Sequence, residues 1–390
     1  MSQANLENNS PLAQEMAAQM QLGVFGTVGK LARQLRAIQR IAPQLKDGGL
    51  VRKLTVDRTI RRRAVGVAAA HQGVSAFGGR LYAVGAVSHE VTASGGDISH
   101  SRQQSRLDIG DMTNLEADRR LEWKTYWLIY ELLDEIFLQA ELPDLILLDM
   151  PLIMGRDVYA QSLVDQDPEM DKELKDEIFK LRDRVENFWS RQLDRCFPIA
   201  ENGPAIVSLG RRRFGSLLRL LEDQGQKATP DPIDFGAQKL IQHDWVQILS
   251  IGIDRVLAGI LPAEHRTAAF NRQGSQDKDA FPKALIQKGS LGFHYLTGVR
   301  GEPVQVETLG DAAIWHTRGA EATLDRLAAD LIALTYFDHR KSLPLPLWYA
   351  QRTVEVVKNK KWLEFYRQHT LKAMREEQVE RTWLSGWEEE

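Results

Sequence analysis

Two acidic residues stand at positions where a folded chain could use them for chemistry. Glu122 lies four residues before Tyr126, which places it on the apolar stripe of a helix spanning about 114–140. Asp149 directly follows the apolar run 145–148, and ligand and metal sites of open α/β sheets gather where buried strands end. Together the two carboxylates could hold Mg²⁺ or Mn²⁺, which prefer oxygen ligands and can activate water against a phosphodiester.

Each acid also has a purely structural interpretation. Glu122 could lie at the edge of the apolar stripe, paired with Arg119 or Lys124 and partly solvated. Asp149 could cap the turn that leads into Pro151. The spacing of the residues leaves both interpretations open.

A hydrolytic metal site of this kind usually needs a third or fourth acid, and the natural place for it is the end of the first strand. Residues 68–71 read Ala-Ala-Ala-His there, so this segment offers no carboxylate. His71 could be a ligand, but a lone histidine near a bend is more often a surface or hydrogen-bonded residue.

Further polar residues could act at the same edge of the sheet. Three arginines follow the apolar run 205–209: Arg211, Arg212 and Arg213. They could hold a DNA backbone or stabilise transition-state charge, although a charge run is often only a solvated face, and the basic stretch 52–63 is a less specific candidate. Gln351 lies on the buried face of a late helix, where it lines the cleft or is a hydrogen-bonded core glutamine.

Hydrophobic spacing predicts the elements that must position these residues. The predicted helices are 12–45, ended by Pro43 and the Asp47-Gly48-Gly49 sequence, then 114–140, 165–195, 325–336 and one that begins after Pro344. The predicted strands are a hairpin at 64–70 and 81–91, a third strand near 103–109, the runs 145–148 and 205–209, and a pair at 292–296 and 303–309. This order indicates an α/β sheet with helical additions at both ends.

Composition excludes several classes of protein. The 390 residues include 50 Lys or Arg and 53 Asp or Glu, so any nucleic-acid surface must be a local patch. A single cysteine, Cys196, excludes intramolecular disulfides and cysteine-rich zinc sites. The first twenty residues do not resemble a signal peptide, and no apolar run is long enough to cross a membrane, so we expect a cytoplasmic protein. The sequence contains no phosphate-binding loop of the GxxxxGK[ST] type, so ATP-driven work would require a partner.

Four segments resemble the NurA nuclease family, across most of residues 60–358. They are Arg-Arg-Leu-Glu at 119–122, Leu-Ile-Leu-Leu-Asp-Met-Pro-Leu at 145–152, Ala-Ile-Val-Ser-Leu-Gly-Arg-Arg at 205–212, and Leu-Pro-Leu-Pro-Leu-Trp-Tyr-Ala-Gln at 343–351. The resemblance implies a ribonuclease H-like core and a homodimeric DNA nuclease. Such a nuclease works at DNA ends with the hexameric ATPase HerA, in repair or in defence against invading DNA. It also implies Glu122 and Asp149 as ligands of Mn²⁺ or Mg²⁺, with an arginine near the phosphate.

The chain departs from the family at two positions. Ala68 stands where the family has the strand-end aspartate, and Gln351 replaces a late histidine. Losing the first carboxylate should weaken metal binding and abolish most cleavage, whether the alanine was introduced or arose by divergence. The alternative function is therefore a catalytically silent subunit that binds DNA or regulates the motor.

The expected organisation is an N-terminal helical region at 1–60, a nuclease-like domain at 61–358 and a C-terminal helical tail at 359–390. The tail contains five bulky aromatic residues that either contact a partner or pack on the core: Trp362, Phe365, Tyr366, Trp383 and Trp387.

Overall fold

A computed structural model describes residues 11–47, 51–155, 172–196, 204–209, 253–271, 280–297, 303–310, 318–335 and 343–376. The helices are α1 Pro11–Asp47, α2 Ala117–Phe137, α3 Lys172–Gln192, α4 Ile253–Ile260, α5 Lys283–Lys288, α6 Arg318–Ala333, α7 Leu345–Val354 and α8 Lys360–Glu376. The strands are β1 Val51–Lys53, β2 Arg62–Ala76, β3 Gly79–Ser94, β4 Asp97–Met112, β5 Leu145–Leu148, β6 Ala205–Ser208, β7 His265–Thr267, β8 Phe270–Asn271, β9 Ser290–Leu296 and β10 Val304–Leu309.

The strands of the described residues form one mixed sheet. Its order is β1-β7-β9-β10-β6-β5-β2-β3-β4, and β8 pairs with β9 outside this order. The neighbours β2, β5 and β6 run parallel to one another, and the other pairs are antiparallel. The predicted α/β sheet is therefore confirmed, with the predicted hairpin and the pair β9–β10 both present. Arg211, Arg212 and Arg213 lie outside the described residues.

The hairpin of β2 and β3 closes through a two-residue turn that Gly78 favours and that Phe77 adopts against its usual preference. Ala76 pairs with Gly79, so Phe77 and Gly78 alone form the loop. Both have positive φ angles, 52° and 73°, as a two-residue turn that matches the twist of the strands requires. The strands on either side consist largely of small and β-branched residues, which pack well on a sheet surface.

Alternate residues of β2 face two separate apolar layers. Val65 and Val67 belong to the cluster that includes α2 and α3, whereas Ala64 and Ala68 belong to the cluster that includes α6 and α7. Both faces of the central strands are thus covered, which explains why β5 is a continuous apolar run.

Helix α7 lies directly on β2 at a glycine. A Cβ atom on Gly66 would be 2.2 Å from the backbone nitrogen of Leu347 and 2.3 Å from the carbonyl carbon of Pro346. Only glycine allows this contact, so Gly66 determines how closely α7 approaches the sheet.

The predicted first helix is present and ends at Asp47, where the predicted Asp47-Gly48-Gly49 stop begins, whereas the prediction that Pro43 helps to end it is wrong, because α1 continues through the proline. Pro43 lacks an N–H and loses one helical hydrogen bond, but Ile38 and Ala42 are buried, and Ile38 lies where a Cβ on Gly259 of α4 would be. Packing therefore holds the last turn in place. None of the helices in the described ranges is both long and apolar enough to cross a membrane.

Candidate functional site

Asp149 and Ala68 occupy equivalent positions on neighbouring strands. In the parallel pair, Val67 is opposite Leu148, and the backbone N–H of Asp149 donates to the carbonyl oxygen of Val67 at 3.1 Å. The next residue on each strand is Ala68 on one side and Asp149 on the other, so their side chains point to the same face of the sheet. Ala68 is fully buried, and its methyl group stands where a second carboxylate would face Asp149.

Gln351 contacts Asp149 from helix α7. Its side chain is on α7, is 6% exposed, and donates from Nε2 to Oδ2 of Asp149 at 2.8 Å. The interpretation of Gln351 as a hydrogen-bonded buried glutamine is confirmed, and its hydrogen-bond partner is the strand-end acid. The structure brings Ala68, Asp149 and Gln351 together, and we refer to these three residues as the Asp149 corner.

Glu122 approaches β2 from the opposite layer. Its side chain is 19% exposed and accepts from the hydroxyl of Tyr126 at 2.7 Å and from Nη1 of Arg119 at 3.2 Å. The predicted pairing with Arg119 is present, whereas Lys124 donates to Asp108 at 2.9 Å instead. Glu122 thus lies at the edge of the apolar stripe, held by two donors of its own helix.

His71 lies on the face of β2 that is turned toward α2. Burial lowers the pKa of His71 below its ordinary value, and the charges of Glu122 and Asp118 act in the opposite direction. Arg80 and Lys358 add to the lowering of this pKa. His71 therefore belongs to the electrostatic surroundings of Glu122.

The segment after β5 is held by a buried acid that sequence analysis did not identify. Glu307, in the middle of β10, is 3% exposed and accepts from the backbone N–H of Leu152 at 3.4 Å and from Ser290 Oγ at 3.3 Å. The hydroxyl of Ser208 donates to the carbonyl of Met150. A glutamate at the centre of a predicted strand was the available signal, because a buried carboxylate needs donors.

The residues present do not fit a catalytic divalent ion. Within the ranges that the structure describes, no three His, Cys, Asp or Glu side chains form a group able to hold a metal. Ala68 contributes no oxygen, and the carboxylates of Asp149 and Glu122 both accept side-chain hydrogen bonds. Asp149 is bound by Gln351 of α7 and Glu122 by Tyr126 and Arg119 of α2, so in the described residues these two carboxylates belong to separate hydrogen-bond networks and not to one shared ligand set.

Comparison with known proteins supports the fold alone. No family model matches the sequence, and no curated protein matches it. The crystal structure of the NurA nuclease from Sulfolobus solfataricus matches with a TM-score of 0.55 at 13% identity, covering 91% of this chain and 97% of that chain. Crystal structures of NurA with manganese and of NurA bound to dAMP and manganese match at TM-scores of 0.47 and 0.43, with 11% and 12% identity. They cover 92% and 96% of this chain and 99% of each of those chains. These last two scores are too low to support an argument. From the first match and the sheet order, the chain has a NurA-like fold with a ribonuclease H-like α/β core.

Proposed function

We propose that the chain is a DNA-end-processing subunit of the NurA type whose hydrolytic site is inactive because of Ala68. The observation that carries this proposal is the corner formed by Ala68, Asp149 and Gln351. A nuclease fold keeps its strand-end acid in place there, but the neighbouring strand supplies a methyl group instead of a carboxylate. The proposed ancestral reaction is phosphodiester hydrolysis at DNA ends, and the NurA-like fold supports this proposal.

In this proposal, only a chain with an aspartate at position 68 binds Mn²⁺ or Mg²⁺ for cleavage. An aspartate at position 68 would place a second carboxylate beside Asp149 on the neighbouring parallel strand, and two adjacent carboxylates with bound waters completing the shell suit either ion. A bound divalent ion supplies an activated water and offsets the charge of the phosphodiester.

The partners are part of the same proposal. Because the sequence has no phosphate-binding loop, a HerA-like hexameric ATPase would supply the movement of DNA.

A second copy of the chain would bury exposed apolar side chains on α1, including Leu22 and Phe25, which are 78% and 83% exposed. DNA repair and defence against invading DNA are the two settings proposed. Sedimentation equilibrium tests the homodimer, and a monomer at micromolar concentration would contradict it.

The decisive experiment compares the chain with its Ala68→Asp variant. Linear double-stranded DNA is incubated with Mn²⁺, ATP and the cognate motor, and cleavage products are separated by electrophoresis. We expect Ala68→Asp to cut and the unchanged chain to remain inactive. Ala68→Asn is the matched control, because asparagine has nearly the same volume as aspartate but no charge, and it should not cut.

A second candidate function is a binding subunit with no latent activity. The hydrogen bond from Gln351 to Asp149 favours it, because this contact satisfies a carboxylate oxygen without a metal. If neither Ala68→Asp nor the double variant Ala68→Asp/Gln351→His cuts DNA, this second function replaces the first. Equal cleavage by the unchanged chain and the variant would contradict the inactivation at position 68.

A further inference from the structure

Four aromatic rings gather on the surface beside the Asp149 corner. They come from β3, β4 and the start of α7: His89, His100, Trp348 and Tyr349. None of them belongs to either apolar cluster of the described core. We refer to these four residues as the ring platform.

The rings of the platform contact one another closely. His89 stacks on Tyr349 with centroids 5.0 Å apart and an interplanar angle of 29°. His100 meets Tyr349 edge-on at 4.6 Å and shares a hydrogen bond with His89, Nδ1 to Nε2, at 2.9 Å. Trp348 lies edge-on to Tyr349 at 4.9 Å. The group is thus ordered by its own contacts, which lowers the entropic cost of binding a flat ligand.

The platform is accessible and carries a cation at its edge. His100 is exposed, while Trp348 and Tyr349 are half-buried. The guanidinium of Arg352 lies 5.7 Å from the ring of Trp348; its side chain is 63% exposed and also contacts the exposed carboxylate of Glu355 at 3.4 Å. Flat rings next to an exposed arginine suit a ligand that presents both bases and phosphates.

The ring platform lies near Asp149. His89 pairs with Gly66 on β2, which pairs with Leu147 on β5, two residues before Asp149. Two strand spacings and two residues separate His89 from Asp149, or about 12 Å between Cα atoms. At about 3.4 Å per nucleotide of one strand, this distance corresponds to a few nucleotides. Helix α7 also carries both Gln351 and the rings of Trp348 and Tyr349.

We propose that the ring platform is a base-stacking site that holds a single DNA strand on the α7 side of the sheet, next to the Asp149 corner. This inference rests on the proposed function for the identity of the ligand. Stacking tolerates any base because every base has a flat face, so the site binds single strands without sequence preference.

Binding of a fluorescently labelled oligothymidylate to the full chain tests the proposal, by anisotropy at low salt in EDTA. We expect Trp348→Leu and Tyr349→Leu to raise Kd about 5- to 100-fold, because leucine keeps apolar volume but cannot stack. The matched control is Phe179→Leu on α3, a 43% exposed aromatic residue with Arg182 5.2 Å from its ring. We expect its Kd to stay within about twofold of that of the unchanged chain.

Two further measurements keep the test decisive. If Trp348→Leu or Tyr349→Leu lowers Tm, His100→Leu replaces it, because His100 is exposed and should weaken binding without unfolding the protein. Oligonucleotide should also quench tryptophan fluorescence less in Trp348→Leu than in the Phe179→Leu control. No binding by the unchanged chain, or equal affinity in platform and control variants, would overturn the proposal. An Ala68→Asp variant that fails to cut would leave this binding result standing, since EDTA removes the metal that cleavage needs.

Discussion

Gly66 and Gly23 are both glycines inside regular elements, but their surroundings differ. A Cβ on Gly66 would overlap the backbone of Pro346 and Leu347, whereas no atom lies within 4 Å of a Cβ on Gly23 in α1. A methyl group at position 66 must therefore push α7 away from β2, while the same change at position 23 meets only open space.

We predict that Gly66→Ala lowers the free energy of unfolding by about 1–3 kcal/mol, because overpacking against backbone atoms cannot be relieved by a rotamer change. Gly23→Ala is the matched control and should raise the helix content of α1, since alanine favours helix by about 1 kcal/mol over glycine. Urea unfolding measures the first change and circular dichroism the second. Equal stability of Gly66→Ala and the unchanged chain would show that α7 does not lie on β2.

At the scale of elements, helices α2 and α3 are joined by a buried arginine. Arg120 is 2% exposed, and its Nε and Nη2 atoms donate to the two carboxylate oxygens of Glu177 at 2.7 and 2.8 Å. Nη1 also donates to Thr113 at 3.0 Å. This bidentate contact fixes the helix that carries Glu122.

We predict that Arg120→Met destabilises the protein by about 1–3 kcal/mol, because it removes the bidentate partner of Glu177, whose side chain is 28% exposed and so can be only partly hydrated. The double variant Arg120→Met/Glu177→Met should recover most of this loss, since both charges are then removed. Thermal unfolding of the two variants measures the difference. A double variant no more stable than Arg120→Met would contradict the assignment of the loss to the unpaired charge.

Sequence patterns predicted the elements better than the contacts between them. The apolar run 145–148 is β5 itself, and the helix predicted at 114–140 is α2 at 117–137, because burial on one or both faces leaves a periodic pattern. Sequence analysis placed Gln351 on the buried face of a late helix that could line the same cleft, but its hydrogen bond to Asp149 was not predictable, because the two residues are 202 positions apart and are brought together by the packing of α7 on β2 at Gly66. Glu307 was missed for the same reason, since its donors come from other elements.

At the scale of the whole molecule, two partly buried histidines link stability to pH. Burial lowers the pKa of His71 and of His89 below the ordinary value of 6.5. The nearby charge of His100 adds to the lowering at His89, whereas a hydrogen bond with Gln103 opposes it. The unfolded chain therefore takes up protons at these residues before the folded protein does.

We predict that the free energy of unfolding is highest above pH 7 and decreases as pH falls through 6.5, because protonation then favours the unfolded chain. His71→Gln and His89→Gln should each reduce this decrease, because each removes a group that is easier to protonate in the unfolded chain. Urea midpoints between pH 7.5 and 5.5 measure the effect. An unchanged pH dependence in both buried-site variants would show that these histidines are protonated equally in the folded and unfolded states.

The contact of Gly66 with Leu347 has a consequence for synthesis of the chain. A ribosome makes Leu347 about 280 residues after Gly66, which takes on the order of 15 to 55 s at roughly 5–20 residues per second. During that interval the nascent strands β2 and β3 have no helix α7 to cover Ala64 and Ala68. The apolar surface that α7 covers in the folded protein is therefore open to chaperones throughout that interval, until the segment that contains α7 has been made.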